Sequence, residues 1–390
     1  LGDGVKAVLK PGREQPFVHR HPWVFSGALH HIAGSPADGD ELPLYAADGT
    51  FVAWGLFNSR SQIRLRLYSW DESARLDEGF FRTQLEQAAR LRATLYGPDA
   101  SCRLVFSEGD GLSGLTVDRY GHTLVVQFTS LALALRRQML LSLLRELFAP
   151  ACIVLRADEA VLREEGLELP DETALGAPAP VEITEHGLRY AVDPALGQKT
   201  GFYFDQRENR LAVRRYALGR ACLDACCYTG GFAQNLAAAG AASVTGVDVS
   251  EPALTLAREN AVHNGLEAAF VKDDVFSYLK SAASAGRRFG LIVLDPPKFA
   301  RDRDHKQAIK GYISLNEMAL RVLEPEGVLV TCSCSGRVNR PEFRQILAAA
   351  AHAAGRYVQL LEERGAAPDH PVQTSCPESD YLKCLVCRAR

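Results

Sequence analysis

The sequence predicts a mixed α/β chain. A doubly wound domain with a parallel sheet occupies the C-terminal part, preceded by a small β-barrel-like module and an α+β middle domain. Three observations lead there. From about residue 181, short apolar strands alternate with helical stretches, the pattern of a parallel sheet covered on both faces. Residues 1 to about 70 read as short strands broken by frequent turns. The 390 residues also exceed what one compact domain usually holds.

Composition narrows the class. With 47% hydrophobic and 23% charged residues the chain reads as an ordinary globular protein. Its formal net charge of −3 excludes a binder recognisable by a strong basic excess, but leaves room for a local basic face. No apolar run reaches the roughly 18 residues of a membrane span. The best candidate, Leu131 to Leu135, stops at Arg136 and Arg137. No secretion signal is evident near the start. The expectation is a cytoplasmic protein with no membrane partner. The ten cysteines are therefore not expected to form a disulfide framework. Cys384 and Cys387 form a CxxC within a run of strand formers, where residues three apart point to opposite faces, so packing is expected rather than metal binding.

The elements follow in order. Asp48-Gly49 marks a hairpin between Leu42–Tyr45 and Phe51–Trp54. Ser61 to Tyr68 alternates polar and apolar residues, as a half-buried strand does, with Arg64 and Arg66 on one face. In the middle domain, residues 80–96 have helical spacing, 122–128 read as a strand, 131–148 as one amphipathic helix and 152–155 as a strand. Pro170, Gly176, Pro178 and Pro180 suggest a linker. The expected domains are 1–72, 73–180 and 181–390. A hairpin with its turn at His186-Gly187 leads into the last. Strands are then expected at 221–225, 243–248, 268–271, 291–294 and 327–331.

The chemistry sits where those strands end. Tyr228, Thr229, Gly230 and Gly231 form a glycine-rich strand-to-helix turn, which lets a ligand approach the backbone at a helix N-terminus. Asp248, at the end of the second strand, can hold ribose hydroxyls. Asp274 can accept from an adenine amino group while the N–H of Val275 reaches a ring nitrogen, although a helix cap explains Asp274 equally well. This set suits any nucleoside cofactor, including a nicotinamide dinucleotide. The lack of a GxGxxG phosphate loop favours S-adenosylmethionine. The fourth strand ends in Asp295-Pro-Pro-Lys298-Phe299. Its prolines fix a rigid loop that can present acceptors to the amino group of a planar base. The fifth ends in Cys332-Ser-Cys334-Ser-Gly336, which places a thiol near Asp295 if the strand order is the usual one.

Taken together, Lys199 to Arg207, Tyr228 to Phe232, Asp295 to Phe299 and Cys332 to Gly336 resemble the bacterial large-subunit (23S) ribosomal RNA cytosine-5 methyltransferases, which carry an N-terminal PUA domain and use S-adenosylmethionine. The likeness extends to His21-Pro-Trp-Val-Phe-Ser-Gly27, Gly109-Asp-Gly-Leu112, Asp118-Arg119 and Asp369-His-Pro371, and so covers nearly the whole chain. It implies a Rossmann-like class I methyltransferase domain and makes Cys334 the nucleophile. Asp205, Gln206, Tyr228 to Gly231, Asp248, Asp274 and Asp295 would line the cofactor. Asp295 and Lys298 would bond the cytosine edge. Arg64 and Arg66 of the PUA module are candidates for gripping 23S ribosomal RNA. Cys332 departs from the family pattern and leaves two candidate thiols. The sequence does not fix the oligomeric state, and a homodimer is compatible with it. The alternatives are methylation at an exocyclic nitrogen (guanine N2 or adenine N6), a noncatalytic RNA-binding scaffold and, more distantly, a nicotinamide-dependent enzyme.

Overall fold

In the computed structural model, residues 4–194, 201–299 and 305–390 are described. The chain divides into two compact units. The first comprises Leu1–Ile183, Val192–Phe204 and Pro368–Ser379; the second comprises Thr184–Ala191, Asp205–Ala367 and Asp380–Arg390.

The first unit holds two sheets. One has six strands in the order Trp23–Phe25, Ile63–Ser69, Phe51–Phe57, Glu41–Tyr45, Lys6–Leu9, Leu29–Ala33. The other has five: Glu172–Leu175, Cys152–Leu155, Thr123–Phe128, Leu115–Tyr120 and Cys102–Phe106. The expected hairpin around Asp48-Gly49 is present, with Glu41–Tyr45 antiparallel to Phe51–Phe57. Three expectations need correction. The stretch taken as a linker contains the strand Glu172–Leu175, which adds to Cys152–Leu155. The single helix expected over 131–148 is two, Leu131–Leu135 and Arg137–Phe148. They meet at Arg136, whose guanidinium donates to the carbonyl of Gly39 at 2.7 Å. The strand Ile63–Ser69 is buried on both faces from Leu65 onward, because the middle domain covers the face carrying Arg66. Leu56 and Tyr68 of the first sheet accordingly belong to the same apolar core as Leu104, Leu115 and Leu140.

The second unit is a seven-stranded sheet. Its strands are β1 (Ala221–Ala225), β2 (Ser243–Asp248), β3 (Ala269–Lys272), β4 (Phe289–Leu294), β5 (Leu323–Ser333), β6 (Val358–Arg364) and β7 (Lys383–Ala389). Their order is β3-β2-β1-β4-β5-β7-β6. β1 to β5 run parallel, and β7 is antiparallel to both neighbours. The helices are α1 (Gly231–Ala238), α2 (Glu251–His263), α3 (Val275–Ser284), α4 (His305–Val322) and α5 (Arg340–Ala354). Alternate residues along a strand face opposite sides, so the sheet carries two cores. Leu223, Ile292, Leu329 and Cys387 lie in one; Cys222, Leu291, Val330, Cys332 and Cys384 lie in the other. Cys384 and Cys387 thus point to opposite faces, as their spacing requires.

Candidate functional site

The strand order reverses at β1, with β2 on one side and β4 on the other, and there the carboxyl ends of the strands open a crevice. The turn after β1 is shaped by backbone. Gly230 has φ of +78° and caps α1. A Cβ there would lie 3.1 Å from the Cβ of Ala257 and 3.1 Å from the Phe270 ring, so the position needs glycine on two counts. Tyr228 also has positive φ, +49°. Its N–H donates to Asp248 Oδ2 at 2.9 Å, while Asp248 Oδ1 accepts from Ser250 N at 2.9 Å. The acid at the end of β2 therefore holds the glycine-rich turn in place.

Asp274 is exposed, and its Oδ1 caps α3 by accepting from Phe276 N and Ser277 N, both at 3.1 Å. Val275 opens the same helix, with its side chain in the core. Asp205 is buried. One oxygen accepts from the Tyr381 hydroxyl at 2.5 Å, and Oδ1 has no protein partner. Gln206 Oε1 accepts from Asn209 Nδ2 at 2.7 Å. Lys199 and Thr200, at the head of the family-like motif, lie outside the described residues.

Sequence reasoning missed Asp224, in the body of β1. It is fully buried, accepts from Ala233 N at 2.8 Å through Oδ2, and has no partner at Oδ1. Burial raises its pKa to about 8, with Asp295 and Asp248 adding to the effect and the Ala233 N–H opposing it. Asp224, Asp248, Asp274 and Asp295 all act on Cys226, just past the end of β1, so four carboxyls gather at the crevice. Such a set suits hydroxyls, an amino group and a positively charged sulfonium, and it repels a pyrophosphate. The orphaned oxygens of Asp205 and Asp224 point the same way, so the residues present fit S-adenosylmethionine.

β4 and β5 are neighbours, with Leu294 opposite Thr331. Asp295 is therefore level with the residues that follow Thr331, where the thiols lie. Pro296 is buried, Pro297 and Lys298 are exposed, and the Phe299 ring meets Tyr312 edge-on at 4.8 Å. The two candidate thiols differ sharply. Cys332 is fully buried and stands opposite Cys384 across the β5–β7 ladder; the hydrogen bond with Cys384 and burial push its thiol well up. Cys334 is half-exposed. Cys226 is also half-exposed, but burial, together with Asp248, Asp295, Asp224 and Asp274 around it, disfavours its thiolate. Beside Cys334 lies a residue that sequence reasoning did not single out, Lys383, buried to 1% exposure at the start of β7. A lone cation inside the apolar run Tyr381 to Cys387 was the available signal.

Arg66, expected to face RNA, does not. It is buried and pairs with Glu165 at 2.9 Å and Glu108 at 3.5 Å, and it donates to Ser113 Oγ at 3.1 Å. A guanidinium committed to two carboxylates has no charge left for phosphate. Arg64 is half-buried and donates to the Asn58 carbonyl at 3.4 Å.

The fold and the crevice define an S-adenosylmethionine-dependent methyltransferase that also carries a PUA-like domain. Profiles of those two families match residues 127–382 and 7–70 respectively. The chain belongs to the ribosomal RNA large subunit methyltransferase I family: it is 42% identical over 391 residues to the member from Klebsiella pneumoniae, covering 98% of both chains, and 41% identical over 392 residues to that from Escherichia coli, covering 98% of this chain and 99% of the other. Among solved structures, a methyltransferase crystallised with S-adenosylhomocysteine shares the fold. Its TM-score is 0.86 at 20% identity, covering 99% of this chain and 100% of that one. An S-adenosylmethionine-dependent methyltransferase from Streptococcus mutans aligns with a TM-score of 0.85, also at 20% identity and with the same coverage.

Proposed function

We propose that the chain methylates C5 of a cytosine in 23S ribosomal RNA through a covalent bond between Cys334 and C6. The observation that carries this is the contrast among the thiols of the crevice. Cys334 alone is both half-exposed and beside a cation, whereas Cys332 is sealed in the core and Cys226 is ringed by carboxylates. The names of the full-length relatives support ribosomal RNA of the large subunit as substrate.

C5 of cytosine is a weak carbon nucleophile. Attack by the Cys334 sulfur forms the S–C6 bond and makes C5 enamine-like, dividing one hard step into two easier ones. S-adenosylmethionine supplies an electrophilic methyl group on a sulfonium. C5 takes that methyl, leaving S-adenosylhomocysteine; the C5 proton then passes to water and the S–C6 bond breaks, which restores the ring. Asp295 and Lys298 bond the N3–N4 edge and stabilise the charge that develops there. Asp248 holds the ribose hydroxyls, Asp274 and Val275 the adenine, and Asp205, Gln206 and the Tyr228 to Gly231 turn the rest of the cofactor. The target base must leave its stack to enter the crevice. The PUA-like domain grips structured RNA through phosphate and shape contacts, with Arg64 the surviving candidate of the original pair.

The test is trapping on RNA containing 5-fluorocytosine, whose fluorine blocks loss of the C5 substituent. The wild-type chain and Cys332→Ala should form a stable adduct, and Cys334→Ala should not. Adduct formation by Cys334→Ala but not by Cys332→Ala would transfer the role to Cys332. No adduct even with the wild type would favour methylation at an exocyclic nitrogen.

A further inference from the structure

Lys383 opens β7, directly opposite Ser333 on β5, one residue before Cys334. Its side chain runs through the interior rather than out to solvent. The ammonium donates to the carbonyl of Ser335, the residue after Cys334, and to that of Tyr381 at 2.7 Å. These two bonds tie the end of β5 to the start of β7 around the thiol. A lysine carries three N–H donors, so the carbonyls leave one donor, and the charge, for another group. A buried charge needs a partner of opposite sign. The groups that act on Lys383 are Cys334 and Asp380, which favour its charge, and Arg340 and Lys298, which oppose it. Asp380 is already taken by Arg340 in a two-bond pair, at 2.7 and 2.8 Å. Tyr312, which also feels Cys334 and Asp295, is buried, and its hydroxyl accepts from Ser333 Oγ at 3.0 Å. Among the described residues, Lys383 is thus a cation set against Cys334.

We propose that Lys383 is the positioning partner of Cys334: it pins the loop that presents the thiol, and its ammonium holds Cys334 as a thiolate for attack. The thiol proton passes to water, S–H giving S⁻, while the ammonium keeps its own protons and pairs with the sulfur, so nothing further is consumed. When the S–C6 bond later breaks, the departing thiolate meets the same ammonium. Burial lowers the Lys383 pKa from 10.5 to about 8 against the pull of Cys334, so the amine is still mostly charged at pH 7. The proposal rests on Cys334 being the nucleophile.

The experiment follows Cys334 alkylation by iodoacetamide in the full chain across pH 6 to 10, read by mass spectrometry of the peptide that carries it. In Lys383→Met the alkylation midpoint should rise by about one to two units, and the rate at pH 7 should fall about tenfold or more. Lys383→Arg should restore most of the wild-type profile. An unchanged profile in a folded Lys383→Met variant would overturn the proposal. Should that variant fail to fold, the reciprocal measurement decides. With lysines labelled at Cε, the Lys383 resonance should titrate at lower pH in Cys334→Ser than in wild type, and an unmoved titration would overturn the proposal equally. The 5-fluorocytosine adduct separates the two ideas. A wild-type adduct with a Lys383-independent profile sinks the lysine role alone; a Lys383-dependent profile with no adduct sinks Cys334 as nucleophile.

Discussion

Replacing Arg66 tests the internal architecture of the first unit. Arg66 is paired with Glu165 at 2.9 Å and Glu108 at 3.5 Å, and the side chains of all three are at most 12% exposed. Burial opposes the Arg66 charge, but the two glutamates outweigh it and hold the guanidinium above its ordinary value. Arg66→Ala strands Glu165 in the interior. Breaking a buried pair by removing one partner costs about 3–5 kcal/mol. Glu165 keeps bonds from Ser61 Oγ at 2.8 Å, Asn58 Nδ2 at 3.0 Å and Leu131 N at 3.2 Å, so the lower end, about 3 kcal/mol, applies. For a unit of this size that corresponds to a Tm loss of roughly 6–12 °C. Calorimetry of the full chain should show the loss in the first unit's transition. The double variant Arg66→Met/Glu165→Gln should recover part of it, since only Glu108 is left without its cation, and it keeps bonds from Trp23 Nε1 at 2.9 Å and Ser113 Oγ at 2.7 Å. A Tm within 2 °C of wild type, together with a several-fold loss of RNA affinity, would refute the reasoning and return Arg66 to the RNA surface.

Asp224 gives a pH signature. Its folded pKa, about 8, lies above the unfolded value near 3.8, so its protonated form stabilises the fold fully below about 4, and that stability is lost as pH rises through about 8. Asp224→Asn removes the titration; without cofactor, its Tm relative to wild type should climb between pH 5 and pH 8, and a constant difference would mean that Asp224 is already ionised in the fold. Gly230→Ala meets both a positive φ and Cβ contacts at 3.1 Å, and should destabilise by about 2 kcal/mol in urea melts. It should also weaken S-adenosylmethionine binding in calorimetry, and a change under about 0.5 kcal/mol with unaltered binding would contradict the close approach at that turn.

The parallel sheet and its crevice were legible because their signals are local. A strand, a turn with glycines and a helix follow one another over residues 221–238, and Asp295-Pro-Pro needs only its own backbone to announce itself. The distinction between Cys332 and Cys334 was also within reach, since position along a strand governs burial. What escaped was set by distant partners. Alternation in Ile63–Ser69 correctly gives two faces, but not that the middle domain covers the second one, so Arg66 looked like surface. Lys383 stands out as a lone cation in an apolar run, but no neighbouring residue announces that β7 is inserted antiparallel between β5 and β6, beside the end of β5. Asp224 sits in an apolar strand, where only the packing of α1 shows that its carboxyl meets a backbone N–H rather than water.

The division of the chain bears on how the protein is made. The polypeptide passes from one unit to the other after residues 183, 191, 204, 367 and 379. Within the first unit, Arg103 N donates to Asp369 Oδ2 at 2.9 Å and Arg92 Nη2 to the Asp369 carbonyl at 2.7 Å. Arg92 itself is wholly buried and pairs with Asp110. During synthesis, an arginine in the second hundred-residue stretch to leave the ribosome, Arg103, and another just before it wait for a partner that emerges some 270 residues later, so the first unit cannot complete its interior until nearly all of these residues have been translated. Contacts of such separation slow folding and leave intermediates exposed. The same arrangement opposes exchange of the catalytic unit between relatives as a single contiguous block, because a transplant spanning it would carry residues 368–379 away from the arginines they complete.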